Sequence, residues 1–124
     1  MPVPILKQGE FLIASIQAAL TDADLRQLRD DVGTSVGRWR SRGVVVDVTA
    51  LDVMDSFATR TLGNIAETAK LRGAETVIVG IQPDVAFTMV QLGLTLGGIA
   101  TALDLEEGLL LLKERLSARR DRAK

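Results

Sequence analysis

From Asp47 to Ser56 the chain reads Asp-Val-Thr-Ala-Leu-Asp-Val-Met-Asp-Ser, which sets three carboxylates and a terminal hydroxyl within ten residues. Carboxylates at that density could hold a divalent cation, and a serine could accept a phosphate. The same residues have a plainer use, because Asp and Ser are favoured at helix starts, where their side-chain oxygens accept backbone N–H bonds. Either use needs the segment at the junction of a strand and a helix. In an open α/β sheet that junction, at the carboxyl end of the strands, is where function gathers.

Few other residues offer chemistry. The chain has no Cys and no His, which removes disulfides, thiol catalysis, Cys-type zinc sites, His metal ligands and Ser-His-Asp triads. Neither GxGxxG nor GxxxxGK[ST] occurs, so no phosphate-cradling loop is expected. The Gly-rich run from Gly93 to Gly98 comes after helical and before strand periodicity, the reverse of the nucleotide-binding order. Asp104, Glu106 and Glu107 suit the first turn of a helix. A phosphate-accepting receiver domain would use a strand-end Asp like those of the cluster, with Mg2+. It would also need an acid pair after the first strand and a Lys after the last, and Ser15–Ala19 and Ala102–Leu103 supply neither.

Composition narrows the class further. With 124 residues, 47% hydrophobic and 25% charged, the chain is one domain large enough for its own core. Fifteen basic and sixteen acidic residues leave a net charge of −1, and aromatics are 3%. Neither nucleic acid nor a membrane surface is expected as a partner, and no cofactor or metal is implied. Residues 113–124 carry six basic and two acidic side chains, read as cations at a helix C-terminus and a solvated tail. The apolar stretch Phe11–Ile16 is too short for a signal-peptide core. Val85–Leu103 is uncharged for nineteen residues, but Gly93, Gly97 and Gly98 interrupt it. A helix, a turn and a buried strand fit it better than a membrane span, and a cytoplasmic location is expected.

The elements that must position the cluster follow from hydrophobic periodicity. Val3–Lys7 and Glu10–Ile16 read as strands around a Gln8-Gly9 turn. Thr21 is a helix N-cap, and Leu25, Leu28, Val32, Val36 and Trp39 form one apolar stripe that ends at Gly43. Val44–Val48 is a β-branched run typical of a strand covered on both faces. A second helix starts at Asp55-Ser56, turns Leu62, Ile65, Ala66 and Ala69 inward, and ends before Gly73 in a left-handed cap. Glu75–Ile81 is a strand. Pro83 opens a third helix with Val85, Met89 and Leu92 inward. Ile99–Leu103 is a last strand, and Asp104 with Glu107 caps a final helix with Leu109, Leu112 and Leu116 inward. Alternating strands and helices make an α/β fold, a mixed β-sheet of about five strands with about four helices.

The motif around Leu51-Asp52 and Asp55-Ser56, in this order of elements, resembles the STAS domain of anti-sigma-factor antagonists. Further matching segments are Ala69-Lys70-Leu71-Arg72-Gly73-Ala74, Gly80-Ile81-Gln82-Pro83-Asp84-Val85-Ala86, Val90-Gln91-Leu92-Gly93-Leu94 and Thr101-Ala102-Leu103. These resemble the stressosome branch of the family, the RsbR and RsbS proteins, over essentially the whole chain. The resemblance implies a single STAS domain across residues 1–124, without the N-terminal sensory domain of RsbR proteins. It implies a non-catalytic scaffold, not an enzyme, with an RsbT-like serine/threonine kinase and RsbR-like STAS paralogues as partners in a large assembly. The serine after the motif's Asp, Ser56, becomes the phosphorylation site, with Thr59 and Thr88 as weaker candidates for which buried or capping roles fit better. Asp52, Met54, Asp55, Ser56, Phe57, Thr59 and Arg60 become the partner-binding set. Two other readings stay open at this point. One is an anti-anti-sigma factor that binds an anti-sigma kinase directly. The other is a small nucleotide- or Mg2+-binding domain using Asp47, Asp52 and Asp55.

Overall fold

A computed structural model describes residues 3–123. Along the chain run β1 (Ile5–Gln8), β2 (Phe11–Ser15), α1 (Asp22–Trp39), β3 (Gly43–Asp47), α2 (Ser56–Leu71), β4 (Glu75–Val79), α3 (Pro83–Gln91), β5 (Ala100–Ala102) and α4 (Leu105–Ala123). The sheet is mixed, with strand order β1-β2-β3-β4-β5. Only β1 is antiparallel to its neighbour, and β2 to β5 run parallel.

Three successive right-handed crossovers in one direction put their helices on one face of the sheet. Accordingly α1, α2 and α3 cover that face, where Leu12, Ala14, Val44, Val46 and Ile78 meet Leu28, Val32, Val36, Leu62, Ile65, Val85 and Met89. The opposite face presents Phe11, Ile13, Val45, Val77 and Val79 to Leu112 and Leu116 of α4. Side chains alternate along each strand, so β3 is buried on both sides and its valines are at most 1% exposed. That double burial is the reason β3 reads as an unbroken β-branched run.

Several boundaries differ from the sequence reading, each for a local reason. The β1–β2 turn is Gly9-Glu10, one residue later than expected. Gln8 pairs with Phe11 across it, and Gly9 has φ +61°. Helix α1 ends at Trp39, where Arg40 closes it in a left-handed conformation (φ 50°) and donates its N–H to Val36 O. Gly43 is therefore the first residue of β3 and not a helix stop. Trp39 leaves the apolar stripe and is 47% exposed, lying between Lys7 and Arg38, whose cations sit 5.7 and 5.1 Å from its ring. Leu92, expected inward, lies past the end of α3 and is exposed. The strand expected over Glu75–Ile81 stops at Val79, and β5 is a three-residue edge strand, only partly buried.

The expected caps at Thr21 and Asp104 are present, with Asp24 N–H donating to Thr21 Oγ1 and Glu107 N–H to Asp104 Oδ1. Gly73 follows α2 at φ +90°. The uncharged stretch Val85–Leu103 resolves into most of α3, a turn and β5. No helix among the described residues is long and apolar enough to cross a membrane.

Candidate functional site at the start of α2

The Asp47–Ser56 segment is the β3–α2 loop, and it is built as a clamped turn. Asp47 closes β3 and accepts through Oδ1 from both the N–H and the hydroxyl of Thr49, at 2.9 and 2.6 Å. This local side-chain turn uses the Asp47 carboxylate to shape the loop. The next loop locks it from the side, since Gln82 Nε2 donates to Thr49 O at 2.8 Å. Gly80 makes that approach possible. It has φ +81°, and a Cβ there would collide with Thr49.

Beyond Thr49 the chain alternates between anchor and display. Leu51 and Met54 are buried at 7% and 5% exposure and belong to the core on the α1–α3 face. Asp52, Val53, Asp55 and Ser56 stand exposed around them. Met54 therefore leaves the expected contact set and becomes a positioning residue, because its side chain is spent on the core. Thr59 leaves the contact set likewise, in line with the buried role expected for it. It is 3% exposed, and its hydroxyl donates to Asp55 O at 2.9 Å. Thr88 is exposed on α3, so the expectation of a buried or capping role does not hold for it.

Asp55 is the N-cap of α2, accepting from Ala58 N–H at 2.7 Å. Ser56 is the first helical residue, exposed, and its hydroxyl has no hydrogen-bond partner among the described residues. An oxygen at that position lies beside the free N–H groups of the first turn, where the helix field favours negative charge. The geometry thus offers an accessible hydroxyl on a rigid loop whose first turn can carry added charge. Asp47, Asp52 and Asp55 do not combine into a cation site, for no group of three or more acidic side chains among the described residues could hold a metal ion.

Around Ser56 the structure brings together residues from three elements. Phe57 is half-buried, with the guanidinium of Arg26 from α1 5.7 Å from its ring centroid. Arg60 is exposed and lines a cleft of about 340 Å3 between α2 and the loop before β5. Val53 is 68% exposed and, with Leu20, Leu25 and Leu51, lines a small apolar dimple beside Asp55. Sequence reasoning missed Val53 and Arg26. Val53 could have been found from its place between two core anchors, Leu51 and Met54, which forces it outward. Arg26 needed tertiary structure.

A family profile described as the STAS domain matches residues 3–107. The chain belongs to the STAS-domain family. Within the family it is RsbS-like. A serine-to-glutamate variant of RsbS from Moorella thermoacetica superposes with a TM-score of 0.80 at 37% identity, over 93% of this chain and 97% of that one. A chain from a structure of the stressosome, described as a signal integration and transduction hub, superposes with a TM-score of 0.75 at 38% identity, over 91% of this chain and 98% of that one. Among curated proteins, the RsbT co-antagonist RsbRA of Bacillus subtilis (strain 168) is 29% identical over 84 residues. That match takes in 68% of this chain but 31% of RsbRA, so the chain corresponds to under a third of that relative. In this STAS domain the loop before α2 carries Asp52, Asp55 and Ser56 in the geometry just described.

Proposed function

We propose that this protein is a non-catalytic stressosome scaffold that holds an RsbT-type serine/threonine kinase and releases it when Ser56 is phosphorylated. The observation that carries the reading is Ser56 itself, an exposed, unpartnered hydroxyl on the first residue of α2, presented by a loop that Leu51 and Met54 pin to the core. The likeness to RsbS and to a stressosome chain supports the assembly, with RsbR-like STAS proteins as co-members. The co-antagonist name of RsbRA points to RsbT as the kinase.

A phosphate on Ser56 adds about −1.5 to −2 charges at neutral pH. Asp52 and Asp55 already face solvent there, so the modified loop is strongly anionic. The helix N-terminus tolerates the charge, and the fold need not move. The switch therefore acts on the docked kinase, through a surface made of Asp52, Val53, Asp55, Ser56, Phe57 and Arg60. Met54 and Thr59 hold that surface from below.

The test is phosphorylation by the cognate kinase with ATP, followed by mapping of the modified residue by mass spectrometry. Phosphate should appear on Ser56. Ser56→Ala should hold the kinase and fail to release it, and Ser56→Asp should bind the kinase more weakly. Because Asp55 and not Ser56 is the cap, each substitution should change stability by no more than about 0.5 kcal/mol. Modification only at Thr88 or elsewhere, or equal kinase affinity of all three forms, refutes the assignment. Sedimentation with an RsbR-type partner should show a large assembly, whereas a kinase complex of two small proteins and nothing larger would refute the scaffold reading.

A further inference from the structure

At the end of the molecule opposite Ser56, α1, α2 and α4 run out towards the start of the sheet, and a cleft of about 320 Å3 opens between them. Four arginines from three parts of the fold line it: Arg40 and Arg42 after α1, Arg72 after α2, and Arg119 on α4. Ser41 lines it too. That residue is 3% exposed, and its hydroxyl is one of two buried side-chain oxygens without a partner among the described residues.

Two of the guanidiniums are held in place. Arg72 donates from Nη1 to Gly33 O at 3.2 Å and lies across Gly37, where a Cβ would strike its guanidinium. Arg119 stands 3.6 Å from Glu75. Arg40 and Arg42 have no side-chain partner among the described residues. The nearby carboxylates are already engaged, Glu10 by Arg120 at 2.8 Å and Glu75 by Arg115 and Arg119.

Dipole compensation does not account for this much charge. Each helix C-terminus is equivalent to roughly half a negative charge. The ends of α1 and α2 together with Glu75 offset two of the four positive charges, so the cleft keeps an excess of about +2. Guanidinium forks match phosphate oxygens bidentately. A cleft of this volume is at the small end of ligand sites, too small for a large cofactor and matched to a compact polyanion.

We propose that this cleft binds a small phosphorylated metabolite bearing at least two anionic phosphate charges, a diphosphate group being the best fit. Arg72 and Arg119 form the fixed half of the site, and Arg40 and Arg42 close on the ligand. Ser41 supplies a neutral hydroxyl donor at the wall. The site lies at the other end of the strands from Ser56, so occupancy leaves the kinase-docking loop open.

Inorganic pyrophosphate is the probe, titrated calorimetrically into the full chain at constant ionic strength, with sodium chloride as the control. Saturable binding is expected, with a rise in melting temperature that chloride does not reproduce. The double variant Arg40→Gln/Arg42→Gln breaks no contact in the fold and should bind at least about fivefold more weakly. Arg119→Gln, on a different element, should weaken binding by a similar factor and guards against a local folding effect in the first variant. No saturable binding at millimolar pyrophosphate, or a loss below fivefold in both variants, overturns the proposal.

Discussion

Substituting Gly80 by Ala tests whether the β3–α2 loop that presents Ser56 is positioned by the neighbouring β4–α3 connection. Gly80 has φ +81°, and its missing Cβ leaves room for Thr49, whose Cβ and Cα would lie 3.0 and 3.1 Å from the new methyl. Holding an alanine in the left-handed region costs about 1–2 kcal/mol. Relieving the collision means moving Thr49, which endangers its bonds to Asp47 and the bond from Gln82. Each bond is worth about 0.5–1.5 kcal/mol, and losing one or two adds about 1–2 kcal/mol. The expected total is about 2–4 kcal/mol, readable as a lower midpoint in urea unfolding with an unchanged slope. Because the loop carries Ser56, the rate of Ser56 phosphorylation should also fall in the folded fraction. Thr49→Ala in the same chain removes the hydroxyl that the methyl strikes, so Gly80→Ala should cost less there, by a coupling of at least about 0.5 kcal/mol. A loss below about 1 kcal/mol with normal Ser56 modification would refute the clamp.

Asp55→Ala removes the α2 cap and should cost about 1 kcal/mol by thermal or chemical unfolding, with a larger relative effect on kinase binding than Ser56→Ala. The Asp24 carboxyl is held below its ordinary value of 3.8 first by the Thr21 backbone N–H and then by the Thr21 hydroxyl. Its contribution to stability is therefore fully present above pH 3.8 and is lost as pH falls through its lower folded value. Asp24→Asn should flatten the acid limb of the unfolding profile and leave the neutral-pH slope unchanged.

The elements that were legible in the sequence are those whose burial pattern is simple. Val44-Val45-Val46 announces a two-sided strand because helices cover both of its faces. The start of α2 is legible because an Asp cap and a buried stripe coincide at Asp55 and Leu62. Where tertiary contacts override local signals, the reading slips. Arg40 takes the left-handed cap that a glycine search assigns to Gly43, since Gly43 is already paired in the sheet with Phe11 and Glu75. Trp39 looks like core by spacing but finds two cations at the surface instead. Met54 lies inside a motif that reads as a partner-binding set, and only the packing of the β3–α2 loop separates this anchor from the displayed residues around it.

Charge shows most plainly what the linear sequence conceals. A net charge of −1 suggests an electrically bland surface, yet parallel strands with returning helices sort the charges by topology. Helix starts gather at one end, bringing Asp22, Asp24, Asp55, Asp84, Glu106 and Glu107 with them. The ends of α1, α2 and α4 gather at the other, with Arg38, Lys70, Arg120 and Arg122 in their last turns. Each placement is favourable for its own helix, and these helix-end charges bias the two ends towards opposite signs, with Arg26 and Arg60 standing near Ser56 and Glu10 and Glu75 near the arginines. Asp52 and Asp55 face solvent beside Ser56, so on the proposed function phosphorylation of Ser56 would deepen an existing field instead of creating a new one. The kinase surface proposed to dock there would then have to accommodate carboxylates in the resting state. Under that proposal release depends on a further charge of about −1.5 to −2 exceeding what that surface can neutralise, so the switch should be steep at low salt and weaker as ionic strength rises.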